Sequence, residues 1–137
     1  MKRVPGPVFV TYCSKNKDAR RPLLPAAERY KSERIAQVRG AAEALGVGFR
    51  ILSGKFGLVA VADKIPYYDH LLKWEGIGGL LPVVRRKLVR DKITAVVYFT
   101  RPLRKASAPL AYHALIEAAC AAAGVPMLVI ELEPRKK

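Results

Sequence analysis

The chain of 137 residues is poor in the side chains that build metal centres and disulfide frameworks. It has two cysteines, Cys13 and Cys120, far apart in sequence, and two histidines, His70 and His113. Two thiols make no disulfide scaffold, and no Cys/His spacing suits zinc, so a reducing compartment is expected and no metal. Acidic residues are also scarce: 11 Asp and Glu stand against 25 Lys and Arg, a net charge of +14. No apolar stretch reaches the about 18 residues needed to cross a bilayer. The apolar run after Met1-Lys2-Arg3 is too short for the core of a signal peptide. No long basic helix carries the bulky aromatics of a membrane-surface helix. The expected setting is cytoplasmic, without a membrane partner. Neither P-loop nor dinucleotide-fingerprint spacing occurs, and no cofactor is expected.

Hydrophobic residues make up 51% of the chain, enough to bury a core. The sequence holds no repeat, low-complexity tract or linker. One domain over residues 1–137 is expected, with flexible ends at 1–6 and 133–137. The excess of positive charge points to a polyanionic partner, above all nucleic acid.

Apolar runs alternate with helical patterns. Residues 8–12 read as a first buried strand, followed by a loop over 18–25. A helix then runs from Pro25 or Ser32 to Leu45, with Ile35, Val38, Ala42 and Leu45 on one face. Ser32 is its candidate N-cap and Gly46 its left-handed stop. Residues 47–52 form a second strand, and 58–62 an extra strand or extended loop. A short helix over 68–73 precedes the turn Gly76-Ile77-Gly78-Gly79. A helix over 80–91 has Leu80, Leu81, Val84 and Leu88 on its apolar face and Arg85, Arg86, Lys87 and Arg90 opposite. Residues 93–99 are the third strand. Ser107 caps an Ala-rich helix that ends at Gly124, and 127–132 is the fourth strand. Strands alternating with helices imply right-handed crossovers. The expected fold is α/β: one three-layer α/β/α domain with a mostly parallel four-stranded sheet in the order 2-1-3-4.

In such a sheet the loops after the first three strands share its carboxyl edge, where open α/β folds bind ligands. The first loop, Cys13-Ser14-Lys15-Asn16-Lys17, offers a hydroxyl, backbone amides and two cations to an anion. Cys13 itself is either a small buried hydrophobe or, beside the lysines, a thiolate. The second is Ser53-Gly54-Lys55-Phe56-Gly57. Gly54 permits close approach of a ligand, Gly57 a positive φ, and Phe56 a stacking platform. The third, Thr100-Arg101, adds a hydroxyl and a cation. The segment Asp63-Lys64-Ile65-Pro66-Tyr67-Tyr68-Asp69-His70 gathers candidate acid–base groups. In it Asp63, Asp69 and His70 are the candidate catalytic residues, with Tyr67 a binding contact. Gly76, Gly78 and Gly79 look like the hairpin of a helix-hairpin-helix element, which grips a phosphate without reading sequence. Arg85 and Arg86 extend that surface, although Pro82 stands where such motifs usually carry a small residue.

Taken in order, the Cys-Ser-Lys loop, Tyr30-Lys31-Ser32, Leu52-Ser53-Gly54-Lys55-Phe56-Gly57-Leu58 and Ile65-Pro66-Tyr67 resemble the YaaA-like peroxide-stress proteins and their short relatives. Ser53, Gly54, Phe56, Gly57, Asp63, Ile65, Pro66 and Tyr67 occupy the places of that family's pattern, with the Ile-Pro spacing one residue shorter. The resemblance covers residues 8–72, in a chain much shorter than the full-length members. It implies DNA binding in oxidative stress and a helix-hairpin-helix element. More distantly, the three-loop arrangement is similar to the uracil-DNA-glycosylase fold and to domains of tRNA base-modification enzymes.

The expected function is nucleic-acid binding, DNA before RNA, with a phosphate and nucleobase pocket at the carboxyl edge. One alternative is an enzyme that modifies a nucleobase or cleaves its glycosidic bond, and another is an enzyme acting on a free nucleotide. Oligomeric state is open.

Overall fold

A computed structural model describes residues 6–14, 17–19, 22–68, 70–104 and 108–133. The apolar runs become strands. β1 (Gly6–Tyr12) lies between β3 (Gly48–Ser53) and β6 (Ile93–Thr100), parallel to both, and β7 (Met127–Glu131) pairs parallel to β6. The order of these four, β3-β1-β6-β7, is the order expected from the alternating pattern. Val8, Val10, Ile51, Val96 and Tyr98 are buried along the inner strands.

The expected count of four strands is too low. β4 (Gly57–Ala60) adds an antiparallel edge to β3, making five strands, and β2 (Leu23–Pro25) pairs with β5 (Lys64–Pro66) in a separate two-stranded ribbon. Two local devices reverse the chain between β3 and β4. Ser53 Oγ accepts the amides of Lys55 and Phe56 at 3.1 and 3.0 Å, and Gly57 adopts φ +79°. A side chain at Gly57 would also press on Val83 at 3.1 Å. β2 falls in the expected loop over 18–25, and the ribbon's two halves are far apart in sequence. Its central pair, Leu24 and Ile65, is buried, so packing rather than local pattern selects it.

Of the two starts expected for the first helix, Ser32 is the one seen, and the run from Pro25 is split into α1 (Ala26–Arg29) and α2 (Glu33–Leu45). Tyr30, Lys31 and Ser32 break it, with Tyr30 extended and Ser32 Oγ capping α2 through the Ile35 amide at 3.3 Å. Gly46 closes α2 at φ +70°. Ile35, Val38 and Ala42 are buried and pack toward β1 and β3, but Leu45, in the last turn, is 69% exposed. The short helix expected over 68–73 does not form. Tyr68 and Leu72 are drawn into the interior by long-range bonds, Tyr68 Oη to Ser53 Oγ at 3.0 Å and the Leu72 amide to Tyr112 Oη at 3.1 Å. A single 3-10 turn (Trp74–Gly76) then runs directly into α3 (Ile77–Arg90).

Among the described residues, therefore, the segment 76–79 forms no helix-hairpin-helix. Gly78 and Gly79 are the first turn of α3, and Gly76 ends the 3-10 turn before it. Pro82 lies inside α3 and gives the Gly78 carbonyl, four residues back, no amide donor. Val84 and Leu88 are buried, and Lys87 Nζ donates to the Phe56 and Leu58 carbonyls at 3.1 and 2.8 Å. This ties α3 to the β3–β4 turn. α4 (Pro109–Ala123) packs against α3. Ala108 precedes it directly, and Ser107, expected as its cap, lies outside the described residues.

At the opposite edge of the sheet, Arg50 and Asp91 form a mostly buried ion pair at 3.6 Å. No helix among the described residues is long and apolar enough to cross a membrane.

Candidate functional site

Parallel pairing brings the first three loops to one edge. Tyr12 stands opposite Leu52 and Thr11 opposite Phe99, so Cys13-Ser14, Ser53-Gly54-Lys55 and Thr100-Arg101 leave the sheet together. The Cys13 amide donates to the Leu52 carbonyl at 2.8 Å and carries the alignment one residue past the strands.

Much of this edge is filled by a buried hydroxyl network. Tyr30 Oη and Tyr68 Oη lie 2.6 Å apart, and Tyr68 Oη also bonds Ser53 Oγ. Cys13 Sγ donates to Tyr112 Oη at 3.5 Å. Burial raises the phenols of Tyr30, to about 12, and of Tyr68 and Tyr112, because a phenolate would lose its water. These groups therefore stay protonated near neutrality and act as donors, not bases. Ser53 is engaged by its own turn and by Tyr68. Gly54 is buried for packing rather than for ligand approach: a Cβ there would meet Tyr112 Oη at 2.8 Å and the Leu72 amide at 3.0 Å. Phe56 is half-buried, edge-on to Tyr68 at 5.3 Å between centroids. That contact occupies part of the stacking platform expected of it.

The cations gather above this network. Lys17 Nζ lies 4.6 Å from the centre of the Tyr68 ring, and Lys55 Nζ lies 5.8 Å from it. Lys55 is exposed and also sits 5.7 Å from the Phe56 ring centre. Two loops thus bring cations to one aromatic ring, an attraction of the cation–π kind. Lys15 lies outside the described residues. Ser14 and Thr100 are buried, and Thr100 Oγ1 donates to the Arg101 carbonyl. Arg101 itself holds the chain after β7, donating to the Leu132 and Glu133 carbonyls at 3.3 and 3.2 Å.

Of the expected catalytic residues, Asp63 lies away from this edge. β4 has carried the chain back from Ser53 to the level of Arg50 before Asp63 is reached. There Asp63 Oδ2 accepts the Ala60 amide at 2.8 Å and closes the turn between β4 and β5. Asp69 lies outside the described residues and His70 is exposed. Tyr67 is 55% exposed, with the Arg29 guanidinium 5.9 Å from its ring centre. Gly78, Gly79, Arg85 and Arg86 are exposed on α3, where Arg85 Nε also reaches the Ala122 carbonyl at 3.3 Å. Trp74, beside them, is 62% exposed.

Two buried arginines escaped the reading of the sequence. Arg29 donates to the Ile65 and Asp18 carbonyls, tying α1 to the ribbon and to the first loop. Arg34 reaches from α2 to β1, where Nη1 donates to Thr11 Oγ1 at 2.5 Å and to the Tyr12 carbonyl at 2.6 Å. A signal existed for Arg34: it stands four residues before Val38, on the buried stripe of α2, where a charge is unexpected.

Among the described residues no group of His, Cys, Asp and Glu is arranged to hold a metal ion. The chain matches no protein-family model and no curated protein.

Proposed function

We propose that this protein binds nucleic acid, DNA before RNA, and grips its phosphates at the carboxyl edge of the sheet. The observation that carries the reading is the convergence of Lys17 and Lys55 on the Tyr68 ring from two separate loops. Cations brought by two loops to the same ring raise the positive potential of this edge, which favours an anion there. The net charge of +14 supports a polyanion over a single small anion. Exposed Tyr67 and Trp74, with Arg85 and Arg86 on α3, offer further aromatic and cationic surface. The motif order shared with the YaaA-like proteins supports the same reading and suggests a role in DNA damage or oxidative stress. The helices are read as two layers, α2 on one face and α3 with α4 on the other. Right-handed crossovers to opposite sides of β1 favour this, and α3 and α4 pack on each other.

Titration of a DNA duplex against salt tests the proposal. About five phosphates neutralised correspond to a log–log slope near −4.5. Lys55→Ala is expected to weaken binding about tenfold or more, the scale of a charge-assisted hydrogen bond. As an exposed side chain it should change stability by no more than about 0.5 kcal/mol. A flat salt response would remove nucleic acid as the partner, and a Lys55→Ala protein that melts early yet binds normally when folded would make Lys55 a structural residue.

A further inference from the structure

The sheet changes direction at β1. β3 lies on one side of it, and β6 and β7 on the other, so the crevice between the carboxyl ends of β1 and β6 is the topological switch point. Arg34 sits over this crevice. Its guanidinium lies 3.6 Å from the centre of the Tyr12 ring, and Nη2 donates to the Cys13 carbonyl at 3.3 Å. With the two bonds of Nη1, every partner is neutral, and no carboxylate among the described residues pairs with Arg34. Yet Arg34 is only 5% exposed, and a second cation, Arg101, opposes its charge. A buried cation without an anion is costly, and cores seldom retain one.

Two kinds of hydrogen-bonding group are left unspent here. Nη1 has given both its protons and Nη2 one. The Nε–H and one Nη2–H remain, two donors for the oxygens of an oxyanion. The Tyr98 hydroxyl is fully buried and has no partner. Tyr98 is paired with Val10, two residues before Tyr12, so Tyr98 and Tyr12 rise from the same face of the sheet. The Arg34 charge acts on the Tyr98 phenol. Two unspent donors, an orphaned hydroxyl and a second guanidinium at a switch point all lack the same thing, an anion.

The geometry points to a phosphomonoester site at the β1–β6 crevice, held by the Arg34 Nε and Nη2 donors and the Tyr98 hydroxyl, with Arg101 as the second positive charge. A monoester dianion matches two cations better than a monoanionic carboxylate does. Burial decides which phosphate enters. An internal phosphodiester continues on both sides of the phosphorus, whereas a terminal phosphate continues on one side only. The ligand class is thus the 5′-phosphate of a nucleic-acid strand end or of a free mononucleotide. The strand-end source rests on the nucleic-acid reading, and the mononucleotide source does not.

The test compares 5′-phosphorylated and 5′-hydroxyl oligonucleotides of one sequence, with a nucleoside 5′-monophosphate as a third probe. Each is titrated against the full chain, Arg34→Lys and Tyr98→Phe. The wild type should prefer the 5′-phosphorylated strand by about tenfold to a hundredfold, the scale of charge-assisted hydrogen bonds. Arg34→Lys keeps the charge but loses these two donors, and should abolish most of the preference. Tyr98→Phe removes only the orphaned hydroxyl, so without ligand it should melt at the same temperature or higher while its preference falls. If both strands bind equally, or if both variants keep the preference, the site is refuted and the nucleic-acid reading stands. If no strand binds but the monophosphate binds and needs Arg34 and Tyr98, the site stands and the nucleic-acid reading falls. Absence of binding by all three probes refutes both.

Discussion

Gly54→Ala separates two meanings of the glycine after β3. If Gly54 is there to let a ligand approach, alanine should leave stability alone and harm binding. The packing gives the opposite expectation. An alanine Cβ would lie 2.8 Å from Tyr112 Oη, 3.0 Å from the Leu72 amide nitrogen and 3.1 Å from Leu72 Cβ. None of these yields easily. Tyr112 is buried, its ring stacks on Tyr12 at 5.5 Å, and its hydroxyl accepts the Leu72 amide and the Cys13 thiol. Overpacking of this kind costs about 1–3 kcal/mol. Pushing the hydroxyl away from the Leu72 amide adds about 1 kcal/mol for the disturbed hydrogen bond. The expected loss is about 2–4 kcal/mol, read as a lower urea midpoint with an unchanged slope. Tyr112→Phe removes the closest atom, so in that background Gly54→Ala should cost about 1 kcal/mol less, a coupling that a double-mutant cycle resolves. A loss below about 0.5 kcal/mol, or strict additivity with Tyr112→Phe, would refute the packing argument.

Two further outcomes are expected. Asp91→Ala removes the mostly buried Arg50–Asp91 ion pair and should destabilise by about 1–3 kcal/mol. A urea midpoint within error of the wild type would show that Arg50 finds solvent instead. The buried phenols set an alkaline limit. Tyr30 is raised by burial from 10.0 to about 12, so the folded state holds its proton more tightly than the unfolded chain does. Its contribution is complete below pH 10 and is lost as pH rises toward 12, at up to about 1.4 kcal/mol per pH unit. Tyr68, Tyr98 and Tyr112 act in the same direction, and buried Cys120, raised from 9.0 to about 11, begins the decline near pH 9. Urea midpoints followed from neutral to alkaline pH should fall steeply past pH 10, and less steeply in Tyr30→Phe. A flat profile would contradict the burial of these groups.

The parallel order β3-β1-β6-β7 was legible in the chain because each of these strands is a continuous apolar run bounded by turn residues. The Ser32 cap and the Gly46 stop were legible because capping depends on a few neighbouring residues. β2 and β5 were not, since their pairing joins segments about forty residues apart that lack strand character of their own. The Gly-Ile-Gly segment misled because glycines suggest a turn, whereas Leu72 and Tyr68, held by distant hydroxyls, leave no helix ahead of it.

The sequence alone determined that a basic, mostly parallel α/β protein presents three polar loops on one side. Alternation and net charge are local or summed properties, and no knowledge of contacts is needed to read them. Only the tertiary structure decided what each loop residue does. Ser53, Gly54 and Asp63 turned inward to close turns and fill space, while Lys17 and Lys55 met over Tyr68. It also decided that Arg34, four residues before Val38 on a buried helical stripe, lies over the Tyr12 ring beside the switch point. The role of a polar side chain depends on which distant donors and acceptors fold onto it, and that pairing exists only once the strands have aligned.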